Sequence, residues 1–199
     1  MKKIFGVFFL ACSLTANAAG EHTVANLTQT IRSTQLAMVD FTQQQEKLNW
    51  RISNDGVMGG ESQGYILFEQ DHGVFTGNIS LANNGGFSAA FRAVPPISQA
   101  LDTVTIDIVG DGHRYQLRMV TTINGQQLYY SHEFDTVKGQ RKMVTFDLSD
   151  FQATFRGRKI PSAAPLKSQY ISEVGFLLAT KQAGDFSLSI FTIDFIKSE

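Results

Sequence analysis

The chain has 199 residues, 43% of them hydrophobic, with 17 Lys and Arg against 18 Asp and Glu. That length suffices for one sizeable core in a single domain, and the near-neutral balance excludes a basic footprint for nucleic acid or an anionic membrane. The single cysteine, Cys12, excludes an internal disulfide and a Cys-ligated zinc.

Residues 1–18 read as a cleavable secretory signal peptide. Lys2 and Lys3 form a positive n-region, Ile4 to Leu14 an apolar h-region, and Ala16-Asn17-Ala18 a small-residue cleavage site. The apolar run is too short for a transmembrane helix. The competing reading, lipidation at Cys12, would cut the h-region short. Without Lys2 and Lys3 the remainder carries a net charge of −3. Periplasmic or secreted localisation follows as the expectation.

Residues 19–45 are polar and read as a loosely packed lead-in, with Val24, Leu27 and Ile31 at helical spacing. The domain proper is placed at residues 46–197. Short runs of β-branched and aromatic residues recur there, divided by turn chemistry. Gly64 to Glu69, Val74 to Leu81 and Phe87 to Val94 come first. In the third run Phe87, Ala89, Phe91 and Ala93 share one face. Val104, Ile106 and Ile108, then Tyr115, Leu117 and Met119, then Leu128, Tyr130, His132 and Phe134 alternate in the same way. Asn124-Gly125, between two alternating runs, marks a hairpin. Gln152 to Lys167 lacks alternation and reads as a long surface loop. In Phe186 to Ile196 the apolar face switches, which predicts a bulge near Ile190. About ten short strands with little helix indicate an all-β, two-sheet jelly-roll sandwich.

Gly60-Glu61-Ser62-Gln63-Gly64 matches the G-x-S-x-G nucleophile pattern. The flanks are a glycine turn and a strand rather than the strand–turn–helix that the motif requires, so a serine hydrolase on Ser62 is an unfavoured alternative. His22, His72, His113 and His132 form no metal-binding group, and no P-loop or dinucleotide fingerprint is present; no nicotinamide cofactor is expected. Arg156-Gly157-Arg158-Lys159 is a short basic cluster read as a solvated loop.

Two dense turns remain: Asn54-Asp55-Gly56-Val57-Met58-Gly59-Gly60 after Trp50, and Asn83-Asn84-Gly85-Gly86 before Phe87, with Arg92 beyond. Glycines at this density let backbone approach backbone or a ligand closely. Asn and Asp side chains can also tie such turns to themselves.

These two blocks resemble the complex I intermediate-associated protein 30 family, as do Gly175-Phe176-Leu177-Leu178, Gly184-Asp185-Phe186 and Ile193-Asp194-Phe195-Ile196. The resemblance spans roughly Phe41 to Ile196. It implies a galactose-binding-like jelly roll akin to some carbohydrate-binding modules, and no established catalytic residues. Mitochondrial members of that family are assembly chaperones for respiratory complex I, whereas the leader here sends the chain out of the cytoplasm. The signature positions to carry over are Trp50, Asp55, Gly56, Gly59, Gly60, Asn83, Asn84, Gly85, Gly86 and Arg92. The expectation is a non-catalytic, exported binding or assembly protein whose partner is an exported or membrane-associated protein. A sugar-binding module using Tyr115, Tyr129 or Tyr130 is the alternative. No cofactor is expected, with calcium at Asp40 and Asp194 as the weak exception.

Overall fold

The computed structural model describes residues 35–37, 39, 41, 44–97, 100–123, 126–155 and 158–198. The leader and the helical spacing at Val24–Ile31 lie outside them. The strands in chain order are β1 (Gln35–Ala37), β2 (Trp50–Asn54), β3 (Gln63–Phe68), β4 (Gly73–Ile79), β5 (Phe87–Ala93), β6 (Thr103–Val109) and β7 (Arg114–Ile123). They continue as β8 (Gln126–Asp135), β9 (Arg141–Asp147), β10 (Gln152–Phe155), β11 (Arg158–Lys159), β12 (Ile171–Ala179) and β13 (Gly184–Ile196). Between them, among the described residues, only short 3-10 turns occur and no α-helix.

The strands form two antiparallel sheets. The first runs β3-β4-β13-β6-β9, with β1 also on β13; the second runs β11-β10-β8-β7-β12-β5-β2. The fold is the all-β, two-sheet jelly-roll sandwich that the alternating runs predict. Between the sheets Phe75, Ile106, Leu117, Phe176 and Phe195 are fully buried. Removing such side chains from water stabilises the fold by about 1.5–3 kcal/mol each.

The phase change in the last run is a register shift. β13 pairs β4 up to Ile190, and its ladder with β6 slips between Ile190 and Thr192. The β7–β8 ladder runs from Arg114↔Asp135 to Ile123↔Gln126, which makes the connection two residues long; Asn124 and Gly125 themselves lie outside the described residues.

Two expectations need correction, and one apolar strand face lies outside the main core. The lead-in is not loose at its end: β1 pairs β13, Val39 and Phe41 are buried, and the Phe41 ring stacks on Trp50 at 6.2 Å. Gln152 to Lys167 is not simply a loop, because β10 pairs β8 and folds back onto β11, burying Ala153 and Thr154. That strand is four residues long and both of its central residues are buried, Ala153 in the core and Thr154 beneath Arg118 on the outer face, which erases any alternation. In β5 the face carrying Ala89 and Phe91 is not the sandwich interior. It joins Val120 and Leu177 in a second small cluster on the other side of the sheet, while Ala90 packs in the main core.

Candidate functional site

Two signature turns meet on one carboxylate. Asp55 opens the 3-10 turn Asp55–Met58 and is 0% exposed. Its Oδ1 accepts from the Ser62 backbone N–H at 2.9 Å. Its Oδ2 accepts from Ser62 Oγ at 2.5 Å and from the N–H groups of Gly86 and Phe87 at 2.6 and 3.2 Å. A carboxylate out of water is tolerated only when its lone pairs are met in this way. Burial pushes the Asp55 carboxyl up, but the Ser62 hydroxyl and the backbone N–H groups of Gly86, Phe87 and Ser62 outweigh it and hold it below the usual range.

The glycines around it are required by space. A Cβ on Gly60 would lie 2.4 Å from the Asp55 carboxyl carbon, and one on Gly85 would lie 2.6 Å from Oδ2. Asn83 and Asn84 hold left-handed backbone at φ 55° and 59°, a conformation that asparagine accepts more readily than most residues. Asn83 Nδ2 donates to Gly59 O at 3.0 Å, a second tie between the two turns. Asn54 Oδ1 accepts from Ser88 Oγ at 2.7 Å and from the Gly64 N–H at 3.2 Å.

Trp50 and Arg92 belong to a neighbouring cluster built on Glu46. Arg92 and Glu46 are 8% and 4% exposed and pair through two parallel bonds of 2.8 and 2.9 Å. Trp50 Nε1 donates to the same Glu46 at 2.9 Å, and the remaining Arg92 nitrogen reaches Ala93 O at 2.8 Å. Glu46 was not a candidate in the sequence. It lies in a polar stretch whose composition gives no sign that one member turns inward.

The polar groups of both clusters are therefore occupied by each other. Among the side chains left exposed are large apolar ones: Val57 is 80% and Met58 67% exposed at the tip of the first turn, and Leu81 lies exposed beside the second, next to the exposed Asn83 and Asn84.

The other sequence candidates separate clearly. Ser62 is buried, and besides Asp55 its Oγ lies 3.1 Å from Ser80 O and accepts from the Ser80 N–H at 3.0 Å. His72 and His113 are paired with Asp71 and Asp111, and His132 Nδ1 lies 2.9 Å from Glu133 O. Activation of a serine needs a base within hydrogen-bond reach; the groups bonded to Ser62 are a carboxylate and the backbone of Ser80. Tyr115 and Tyr130 are core residues whose hydroxyls donate to Asp111 at 3.0 Å and Ala164 O at 2.8 Å. Of the three tyrosines, Tyr129 alone joins the outer cluster of the second sheet. Asp40 lies outside the described residues. Asp194 sits in β13 opposite Ala37 and Thr105, and no group of three metal-ligating side chains forms among the described residues. Arg156 and Gly157 lie outside the described residues too, while Arg158 and Lys159 are exposed on β11.

A model of the complex I intermediate-associated protein 30 family matches residues 39–190. The chain belongs to this family. The two blocks that carry the resemblance, now seen gathered on Asp55, lie within the matched residues. Membership of the complex I intermediate-associated protein 30 family supports a binding or assembly role rather than catalysis. No curated protein sequence matches the chain significantly.

Among solved structures, a family 11 carbohydrate-binding module from Clostridium thermocellum, in complex with a β-1,3-1,4-mixed-linked tetrasaccharide, is similar with a TM-score of 0.61. It is 16% identical, over 83% of this chain and 96% of that one. The family 11 module of the cellulosomal cellulase Lic26A-Cel5E from the same organism gives 0.60 at 15% identity, over 81% and 94% of the two chains. An agarase gives 0.54 at 13% identity, over 83% of this chain and 25% of its own. At these identities the likeness is one of fold. The shared fold of this complex I intermediate-associated protein 30 family member and these modules is the two-sheet β-sandwich.

Proposed function

We propose that this protein is an exported, non-catalytic binding or assembly protein that docks an exported or membrane-associated protein partner on the tip of its first signature turn. One observation carries the reading. Asp55 draws both turns onto a single buried carboxylate, and the rigid tip so formed displays Val57 and Met58 to solvent. Isolated exposed apolar residues are ordinary. Two adjacent ones on a clamped turn are different, because a preorganised contact loses little conformational freedom on binding. The unbranched Met58 thioether side chain adapts to varied partner surfaces. The signature residues serve this reading as scaffold, with Val57 and Met58 making the contact.

Export rests on the leader. Fractionation of the native host with N-terminal sequencing tests it: a periplasmic or secreted chain starting at Ala19 is expected, and a cytoplasmic chain retaining Lys2 and Lys3 contradicts it.

The docking claim is tested by affinity capture from the native compartment with wild-type protein and the double variant Val57→Ser/Met58→Ser. The variant is expected to keep the wild-type melting temperature and to lose a partner that the wild type recovers stoichiometrically. Equal recovery by both removes the tip from the interface. A fluorophosphonate serine probe is expected to leave Ser62 unlabelled; labelling abolished by Ser62→Ala would restore the hydrolase alternative.

A further inference from the structure

We propose that the outer face of the second sheet carries a separate groove for a neutral oligosaccharide, organised on Arg118. The site lies apart from the signature turns and goes beyond the docking role.

Arg118 stands on β7, the middle strand of that sheet. Its ladder neighbours are Ser131 on β8 and Gly175 on β12, one small side chain and one absent. Gly175 has no room for more: a Cβ there would lie 2.3 Å from Ala90 O and 2.6 Å from the Phe91 ring. The groove beside the guanidinium therefore opens on the Ser131 side, while the Phe91 ring fills the Gly175 side.

It is also short of partners. One terminal nitrogen donates to Thr154 Oγ1 at 3.2 Å, and the guanidinium carbon lies 5.4 Å from the centre of the Tyr129 ring. Its Nε is buried with no acceptor. Arg51, Arg92, Arg114 and Arg141 each hold an acidic side chain, whereas no carboxylate among the described residues pairs with Arg118. A desolvated donor without an acceptor weakens the fold, so a native structure that keeps one invites a functional explanation. Nε itself is sealed, but the second terminal nitrogen, which is not, is free to donate to a ligand oxygen and so gives the under-satisfied guanidinium an acceptor.

The surroundings define that ligand. A groove of about 450 Å³ runs past Arg118, between Gln116, Ser131, Gln152 and Thr154. That volume falls in the range of about 300–1,000 Å³ usual for ligand sites. Lys159 joins Arg118 on the basic side, and Glu133 and Asp150 on the acidic side, so the lining carries no net charge. A polyanion gains nothing from such a lining. A hydroxyl both donates and accepts, and a row of hydroxyls suits alternating Arg, Gln, Glu and Lys side chains. Beside this polar strip stands the apolar cluster of Phe91, Val120 and Leu177, with the half-buried Tyr129 ring packed against it. A pyranose, with apolar C–H faces and a polar rim, matches a surface divided in this way.

Isothermal titration of the mature chain with cellotetraose, maltotetraose and mannotetraose tests the proposal, with tetragalacturonate as the anionic comparator. At least one neutral tetrasaccharide is expected to bind saturably. Arg118→Met is expected to weaken it at least tenfold while keeping or raising the melting temperature, since the orphaned donor is gone. Gln152→Ala, at an exposed lining position, is expected to weaken binding with the fold unchanged; it decides the matter if Arg118→Met does not fold. Val57→Ser/Met58→Ser is expected to bind sugar as the wild type does. The proposal is overturned if no neutral tetrasaccharide binds at millimolar concentration, if the folded groove variants bind as well as the wild type, or if tetragalacturonate binds most tightly.

Discussion

A carboxylate sealed from water destabilises a fold unless several donors converge on it. Asp55 has four, from Ser62, Gly86 and Phe87. In Asp55→Asn the amide NH2 would replace one acceptor oxygen and face donors. We expect a loss on the order of 3 kcal/mol, read as a lower urea midpoint with an unchanged m-value. The same bonds lower the Asp55 pKa in the folded state. Its stabilising contribution is therefore complete above the unfolded aspartate value of about 3.9 and is lost as pH falls through the lowered folded value. The acid limb of the stability–pH curve should be shallower in Asp55→Asn than in the wild type. A parallel limb would mean that Asp55 does not titrate in this way. The Gly and Asn content made the two turns legible in the sequence. The inward direction of Asp55 was not, because the donors it collects come from positions up to 32 residues away.

At the scale of elements, β2 and β5 are held to the turn before β2 by Glu46, whose carboxylate joins Arg92 and Trp50. Removing one partner of a buried ion pair strands the other charge. Glu46→Ala should cost about 3–5 kcal/mol, and Glu46→Leu/Arg92→Met much less. Chemical denaturation of the two variants compares them directly, and equal losses would contradict the pairing argument. The segment before Glu46 is part of the same core. Phe41→Ala should cost about 3–5 kcal/mol in the same assay, against almost nothing for a loose lead-in residue. Period-two runs identified the half-buried strands well. They failed at β5, where Ala89 and Phe91 are buried on one face and Ala90 on the other, so the larger side chains no longer mark the interior. They failed at β10 because four residues are too few to display a period. The switch in β13 was legible because that strand keeps a strong pattern on each side of its bulge.

Over the whole molecule the sandwich is closed by pairings distant in sequence: β1 with β13, β2 and β12 with β5, and β4 with β13. Such topologies fold slowly, because chain closure precedes the contacts that reward it. Stopped-flow refolding should accordingly occur in milliseconds to seconds, and a microsecond phase carrying the full amplitude would contradict the topology. The same architecture separates two surfaces: a clamped apolar tip on the signature turns and a polar groove on the second sheet. Strand periodicity foretold the sandwich but neither surface. The tip depends on which residues the clasp leaves outside, and the groove depends on Ser131, Gln152 and Lys159 meeting beside Arg118 from different strands. The central claim is that the Asp55 clasp presents Val57 and Met58 to a protein partner. Site-specific photo-crosslinking in the native host, with p-benzoylphenylalanine at position 58 and at the exposed position 170 as control, tests it most directly. The account predicts a discrete protein adduct at position 58 that is absent at 170 and is lost when Asp55→Asn is added; no adduct at 58, or the same adduct at both positions, would contradict it.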